Sequence, residues 1–264
     1  MRDLTLSLLQ TELHWQDPAA NRAHFDGLIA AIERAPDTPH LVVLPEVFTS
    51  GFSMDGPALA ETMDGESVAW MKLVAQDYGL TVCGSLIIED GGRYYNRLIW
   101  APPDGDVRWY DKRHLFRMAG EHERYSAGAE RRIFKLGEWR VCPLVCYDLR
   151  FPVWSRGVDE FDLLLYVANW PAPRRSAWRT LLPARAVENL CYCAGLNRIG
   201  IDGNDLRYSG DSGVFDFLGG TLVDCGDEDR TATVTLDAAR LERFRSKFPA
   251  HLDADNFSID QAPR

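Results

Sequence analysis

Apolar and polar positions along the chain follow two periods, and the changes between them mark out the elements. Residues 4–9 form an almost unbroken apolar run that predicts a strand. After a polar stretch, Phe25, Leu28, Ile29 and Ile32 recur at helical spacing and predict a helix over about 18–34. Leu41, Val42, Val43 and Leu44 stop abruptly at Pro45-Glu46, the pattern of a buried strand that delivers a carboxylate to its C-terminal edge. Val68, Met71, Val74, Ala75 and Tyr78 mark one face of a second helix, with Gly79 at the position where a left-handed residue closes a helix.

From residue 80 the period falls to two. LTVCGSLIIE, DGG, RYYNRLIWA, PPDG and DVRWYDK read as a meander of antiparallel strands, so the sheet is mixed. Residues 115–128 read as a charged loop with a short helical turn. RVCPLVC at 140–146 is a strand that runs straight into Tyr147 and Asp148, and LLLYVA at 163–168 repeats the form and ends at Asn169-Trp170-Pro171. A long helix is expected over 176–190, then strands at 191–197, 212–216, 221–223 and 231–236. With no repeat, low-complexity tract or linker, the expectation is one domain over 1–264, with strands stacked in two sheets and helices outside, because each helix has only one apolar face to bury. The stretch 237–264 carries Leu241, Phe244, Phe248 and Phe257 among charges and is expected to pack as an extension on the domain or on a partner subunit.

Composition narrows the function classes. A formal net charge of -10 opposes a general nucleic-acid binder, which concentrates Lys and Arg to displace counterions from phosphates. No apolar run approaches the roughly 20 residues that span a bilayer. Residues 1–10 carry Arg2 and Asp3 ahead of the first strand, without the layout of a signal peptide, so a cytoplasmic protein that does not enter membranes is expected. The 6 cysteines are sparse for this length, and Cys83, Cys142, Cys191 and Cys193 sit in apolar runs where a thiol acts as a small hydrophobe; they read as reduced. Cys191 and Cys193 have no His or Cys partner at zinc-ligand spacing, so no metal site is expected.

Three reactive side chains stand at or near predicted strand ends, where a rigid scaffold hands residues to a cleft: Glu46, Lys112 and Cys146. Together they suit covalent catalysis on an amide. An ordinary thiol is mostly protonated at neutral pH, so a nearby base must take its proton, and a cation beside it favours the thiolate and the oxyanion that follows. Taken singly, each also fits an ordinary structural role, since a Glu after a strand or a Lys in a polar turn is usually solvated and a Cys on an apolar strand is usually only buried.

The surrounding text resolves this. LVVLPEVFTSGF, YDKRHLF and PLVCYDLRFP resemble, in order, the glutamate, lysine and cysteine motifs of the nitrilase (carbon-nitrogen hydrolase) superfamily, and NWP at 169–171, ARAVEN at 184–189 and GLNRIG at 195–200 extend the likeness to about Phe217. The resemblance implies a four-layer αββα sandwich of the nitrilase type that pairs into a homodimer, and a catalytic set of Glu46, Lys112 and Cys146 working through a thioester. It also implies a second glutamate, which the match to GEHERYSAG puts at Glu121, with Glu123 in reserve; without the motif either would read as a solvated loop charge. In the mechanism so implied, the backbone N-H of Tyr147 joins Lys112 in holding the oxyanion, and no cofactor or metal is required.

Within the superfamily, CYDLRFP, VANWP and ARAVEN look most like the omega-amidase branch, whose members hydrolyse the terminal amide of 2-oxoglutaramate and 2-oxosuccinamate to the 2-oxo acids and ammonia. Such a small-molecule substrate carries a carboxylate that a cation must meet. Arg174, Arg175 and Arg150 are candidates by position, with Arg150 also suited to an ion pair with Asp148. Phe52, Tyr147 and Trp170 are expected to wall the pocket, against the alternative of core packing, which is strongest for Phe52. His114, inside the lysine motif, is expected to support rather than catalyse, and His14, His24, His40, His122 and His251 to be exposed. The alternatives are another superfamily reaction on a nitrile, N-carbamoyl or aliphatic amide, and a binding scaffold without activity. A glutamine-dependent synthetase lacks its second domain and P-loop here, and a redox thiol lacks a well-placed resolving cysteine, since Cys142 shares the strand of Cys146.

Overall fold

The structure, a computed structural model, describes residues 1–34, 38–157, 159–255 and 257–259. The chain opens with β1 (Leu4–Gln10), α1 (Pro18–Ala30), β2 (His40–Val43), the single turn α2 (Gly56–Leu59) and α3 (Glu66–Tyr78). The meander β3 (Thr81–Asp90), β4 (Arg93–Ala101) and β5 (Arg108–Asp111) follows, then the turn α4 (Glu121–Arg124), β6 (Phe134–Leu136) and β7 (Trp139–Val145). After the turn α5 (Pro152–Ser155) come β8 (Leu163–Ala168), α6 (Arg175–Asn189), β9 (Tyr192–Asn197) and the hairpin β10 (Ile199–Ile201) and β11 (Arg207–Ser209). β12 (Gly213–Phe215), β13 (Thr221–Asp224), β14 (Arg230–Leu236) and α7 (Ala238–Lys247) complete it.

Two six-stranded sheets, in the orders β14-β1-β2-β3-β4-β5 and β13-β12-β9-β8-β7-β6, lie face to face. Each has a parallel centre, β1-β2-β3 in one and β7-β8-β9 in the other, flanked by antiparallel strands. Central parallel strands are covered on both faces, which explains their unbroken apolar runs. Leu41 and Val43 of β2 join Leu4, Leu6 and Leu8 in the core between the sheets, whereas Val42 and Leu44 face α1 and α3 with Phe25, Ile29, Val68 and Met71. On the other side α6 lays Trp178, Leu182 and Ala186 against the second sheet. Its approach requires glycine at 195, because a Cβ there would stand 2.5 Å from Leu182 Cδ1. The layers are therefore α, β, β, α, the nitrilase-type sandwich that the motifs imply.

The predicted elements are present with shifted ends. α1 stops at Ala30, short of 34, and α3 ends on Gly79 in the left-handed region at φ 64°. The sequence reading lacks β6 and the single turns α2 and α5, and it lacks two larger elements as well. One is the β10-β11 hairpin, where Ile199 pairs with Ser209 and Ile201 with Arg207. The other is α7, whose polar composition hides it although Asp237 caps its start by accepting from Arg240 N at 2.7 Å. α7 buries Ala238 and Leu241 and stacks Phe244 on Phe217 at 4.4 Å, so this part of the C-terminal stretch lies on the domain itself; residues 256 and 260–264 of that stretch lie outside the described residues. His40 corrects the expectation of exposure: it is buried on β2, hydrogen-bonded to Ser7 Oγ at 2.9 Å. His24 and His251 are half-buried, while His14 and His122 are exposed.

Candidate active site

The candidate residues stand at or just past the C-terminal ends of strands, central parallel ones for Glu46, Cys146 and Asn169 and an antiparallel edge strand for Lys112. β2 runs through Leu44 and Pro45 to Glu46, β5 leads to Lys112, β7 ends at Cys146, and β8 ends at Asn169. Glu46 and Glu121 are fully inaccessible and Lys112 nearly so. Burying three charges is tolerable only if they satisfy one another. Lys112 Nζ donates to Glu46 Oε1 at 2.9 Å and to Glu121 Oε1 and Oε2 at 2.9 and 3.0 Å. Asn96 Nδ2 donates to Glu46 Oε1 at 2.8 Å and is itself held by Ser85 Oγ, which donates to Asn96 Oδ1 at 2.8 Å. Glu46 Oε2 accepts from the backbone N-H of Asn169 at 2.7 Å, and Glu121 Oε2 from that of Phe116 at 2.5 Å.

Two carboxylates thus surround one ammonium. Burial works against the charge on Lys112, but Glu121 and Glu46 overcome it and hold the ammonium well above the ordinary lysine value. Burial lifts the Glu121 carboxyl above its ordinary value, with Lys112 opposing. Cys146 faces this group, its Sγ 3.9 Å from the Asn169 carbonyl oxygen. Burial, followed by the charge of Glu46, pushes its thiol well above the ordinary range, with Lys112 pulling the other way. Burial therefore favours the protonated thiol, so a sulfur attacking from this position would have to give up its proton.

Cys146 takes φ of 45°, a left-handed conformation unusual for a residue with a side chain, and so turns its Sγ out of the strand line toward a cavity of about 480 Å³. Lys112, Cys146, Tyr147, Phe52, Trp170 and Arg174 line it, together with Arg150, Phe116 and Asn169. Phe52 is a wall residue rather than a core one, its ring 5.1 Å from Lys112 Nζ. Arg150 lies 5.0 Å over the Trp170 ring and Arg174 4.9 Å over the Phe116 ring; neither has an ion-pair partner among the described residues. The expected Arg150–Asp148 pair is absent, because Asp148 is turned inward to Tyr110, His114 and Val145. Arg175 leaves the cavity to pair with Asp211, 2.7 Å away. Glu123 is exposed on α4 while Glu121 points in.

Residues that the sequence reading did not single out complete the site. Asn96 and Ser85 look like polar breaks in strands, yet they brace the carboxylates. Trp15 and the β10-β11 hairpin residues Asp202, Leu206 and Tyr208 close the far wall. The alternation IGI, a DGND turn and then LRYS was a legible hairpin signal. The other family-like motifs are braces as well: Asn197 Oδ1 accepts from Trp170 N at 2.7 Å, and Arg185 Nη2 donates to the Leu149 carbonyl behind the cysteine turn at 2.7 Å.

The profile of the carbon-nitrogen hydrolase family matches residues 5–246. The chain is 46% identical over 260 residues to a protein of Escherichia coli (strain K12) named Omega-amidase YafV, covering 98% of this chain and 100% of that one. It is 32% identical to the 2-oxoglutaramate amidase of Bacillus subtilis (strain 168), covering 94% and 96% of the two chains. A solved CN-hydrolase superfamily protein of Xanthomonas campestris, which carries an arsenic adduct in its active site, superposes with a TM-score of 0.94 at 48% identity, covering 98% of this chain and 100% of that one.

Proposed function

The chain belongs to the carbon-nitrogen hydrolase family and is a hydrolase of carbon-nitrogen bonds, and within that family we propose that it is an omega-amidase acting on 2-oxoglutaramate and 2-oxosuccinamate through a Cys146 thioester. The observation that carries this reading is a cavity with Lys112, bound to Glu46 and Glu121, beside Cys146, and with Arg150 and Arg174, which have no ion-pair partner among the described residues, on its wall. A terminal amide is met at one end and a carboxylate at the other.

In the proposed mechanism Cys146 Sγ attacks the amide carbon while Glu46 takes the thiol proton, so sulfur forms its bond to carbon without a free thiolate beforehand. Lys112 Nζ has three donors. Two are engaged by Glu46 and Glu121, and the third, on the cavity side, holds the oxyanion with the backbone N-H of Tyr147. Glu46 passes its proton to the nitrogen, the carbon-nitrogen bond breaks, and ammonia departs. Water then attacks the thioester with Glu46 as base; the carbon-sulfur bond breaks, and the proton returns to Cys146. Glu121 fixes Lys112. Arg150 and Arg174 meet the substrate carboxylate between the aromatic walls of Phe52, Tyr147 and Trp170. Acyl transfer of this kind uses only nucleophile, base and oxyanion donors.

The reading extends to the whole chain: one hydrolase unit over 1–264 with 237–264 as its extension, acting in the cytoplasm as a homodimer and binding no nucleic acid. The net charge of -10 supports the last point, and the exposed Val187 and Leu218 beside α6 offer apolar surface for a partner copy. Among the described residues no helix is long and apolar enough to cross a membrane.

Ammonia release from 2-oxoglutaramate and 2-oxosuccinamate, beside glutamine, a simple nitrile and an N-carbamoyl amino acid, tests the proposal, with Cys146→Ala as blank. Turnover of the 2-oxo acid amides that vanishes in the variant is expected. Turnover of another substrate alone would move the chain to a different reaction of the family.

A further inference from the structure

Asp148 stands two residues beyond Cys146 and is fully buried; among the described residues its Oδ1 and Oδ2 accept from Tyr110, His114 and Val145. A buried carboxylate needs several donors to replace its water, and the origin of these donors is informative. Oδ2 accepts from Tyr110 Oη at 2.7 Å and from the backbone N-H of Val145 at 3.0 Å. Oδ1 accepts from the backbone N-H of His114 at 3.0 Å and from His114 Nδ1 at 2.7 Å. Tyr110 and His114 flank Lys112 on either side, and Val145 immediately precedes Cys146. One carboxylate therefore ties the two ends of the lysine loop to the nucleophile turn.

The ties are rigid. The Tyr110 hydroxyl accepts from Trp154 Nε1 at 2.9 Å and from the backbone N-H of Arg113 at 3.2 Å, so its single proton is directed to Asp148. The His114 ring is stacked on Phe151 at 3.7 Å with 6° between planes, and Phe151 in turn meets Tyr147 edge-on at 5.1 Å. The bond from Val145 N closes the turn in which Cys146 adopts its left-handed φ of 45°, a conformation that a residue with a side chain takes only where its surroundings hold it there.

We propose that Asp148 is a positioning residue that sets Cys146 Sγ and Lys112 Nζ in register by clamping the loop of one to the turn of the other. The proposal rests on the reading of Cys146 as nucleophile and Lys112 as oxyanion partner. Asp148 touches neither substrate nor reacting atoms; it acts through the backbone of residues 110–114 and 145–148.

The test is Asp148→Asn with Tyr110→Phe beside it, both in the full chain. The asparagine has the same shape, but its NH₂ confronts two of the four donors. Tyr110→Phe removes one donor and adds none. A displacement of about 1 Å in a reacting group costs on the order of 100-fold in rate, so Asp148→Asn is expected to lower kcat by about that factor with KM within about threefold. The rate of Cys146 alkylation by iodoacetamide, which needs no substrate, should fall by about tenfold or more, and Tyr110→Phe should show the same split more mildly. A folded Asp148→Asn with kcat and alkylation rate within about threefold of the parent overturns the proposal. If Asp148→Asn does not fold, an unchanged kcat in Tyr110→Phe overturns it. If the parent hydrolyses no amide, the alkylation rate still decides the clamp, so the two readings fail separately.

Discussion

Asn169 grips Glu46 from both ends: its backbone N-H donates to Glu46 Oε2 at 2.7 Å, and its side-chain amide donates to the Glu46 main-chain carbonyl at 2.5 Å. The two residues close parallel strands of different sheets, so this contact joins the sheets at the floor of the cavity. Asn169→Ala keeps the backbone bond and loses the other. Loss of one buried hydrogen bond is worth about 1 kcal/mol, and kcat is expected to fall roughly fivefold to tenfold with little change in KM. Asn169→Asp places a carboxylate against the Glu46 carbonyl and should be the more damaging, as steady-state kinetics on the two variants will show.

Lys112→Met leaves Glu46 and Glu121 buried without their cation. Breaking a buried ion pair from one side costs about 3–5 kcal/mol, and turnover should be lost along with the oxyanion donor. The pH dependence has a definite sign. Burial, helped by the charge of Glu46, raises the Glu121 carboxyl, and without Lys112 the backbone N-H of Phe116 is left to oppose it. A raised carboxyl stabilises the fold below its unfolded pKa of about 4.3 and loses that contribution as pH rises through the folded value. The gap in denaturation midpoint between variant and parent should therefore narrow as pH is lowered from 8 toward about 5.

Arg150→Met and Arg174→Met retain the stacked side-chain bulk but remove the charge. A hydrogen bond to a charged group is worth about 1.5–3 kcal/mol, so KM for 2-oxosuccinamate is expected to rise by about tenfold or more in whichever variant loses the carboxylate contact. KM for a neutral aliphatic amide should be unchanged. Equal effects on both substrates would assign the arginines to the wall rather than to charge recognition.

The buried thiols make alkaline stability a readout of the core. Burial pushes Cys142 and Cys191 up to about 12 and Cys225 up to about 11. Below the unfolded thiol value of about 8.5 both states keep their protons; above it the unfolded chain ionises first, so stability falls as pH rises toward the folded values. Melting temperature should drop between about pH 8 and 10.5, and in Cys191→Ala the slope should be shallower by the share of one proton. An unchanged slope would mean that Cys191 ionises alike in both states.

The sequence by itself determined the sandwich and pointed to the groups proposed to react. Parallel strands buried on both faces have to be apolar runs, and a chemically useful residue at the end of such a run stands out, as Glu46 and Cys146 do. Lys112 was legible only through its motif, since it follows a short edge strand whose pattern is weak. The tertiary structure alone decided which charges meet. Arg174 and Arg175 looked equivalent along the chain, but Asp211, 36 residues away, takes Arg175, while Arg174 has no ion-pair partner among the described residues. Likewise Glu121 and Glu123 differ only in the face of a one-turn helix, and the fold buries the first and exposes the second. Asn96, Asn169 and Asp148 act across sheets and loops, through partners 25 to 123 residues distant. Local pattern carries burial and period, which are properties of one element. The partner of a buried polar group is chosen by how separate elements pack, and no single stretch of sequence contains that choice.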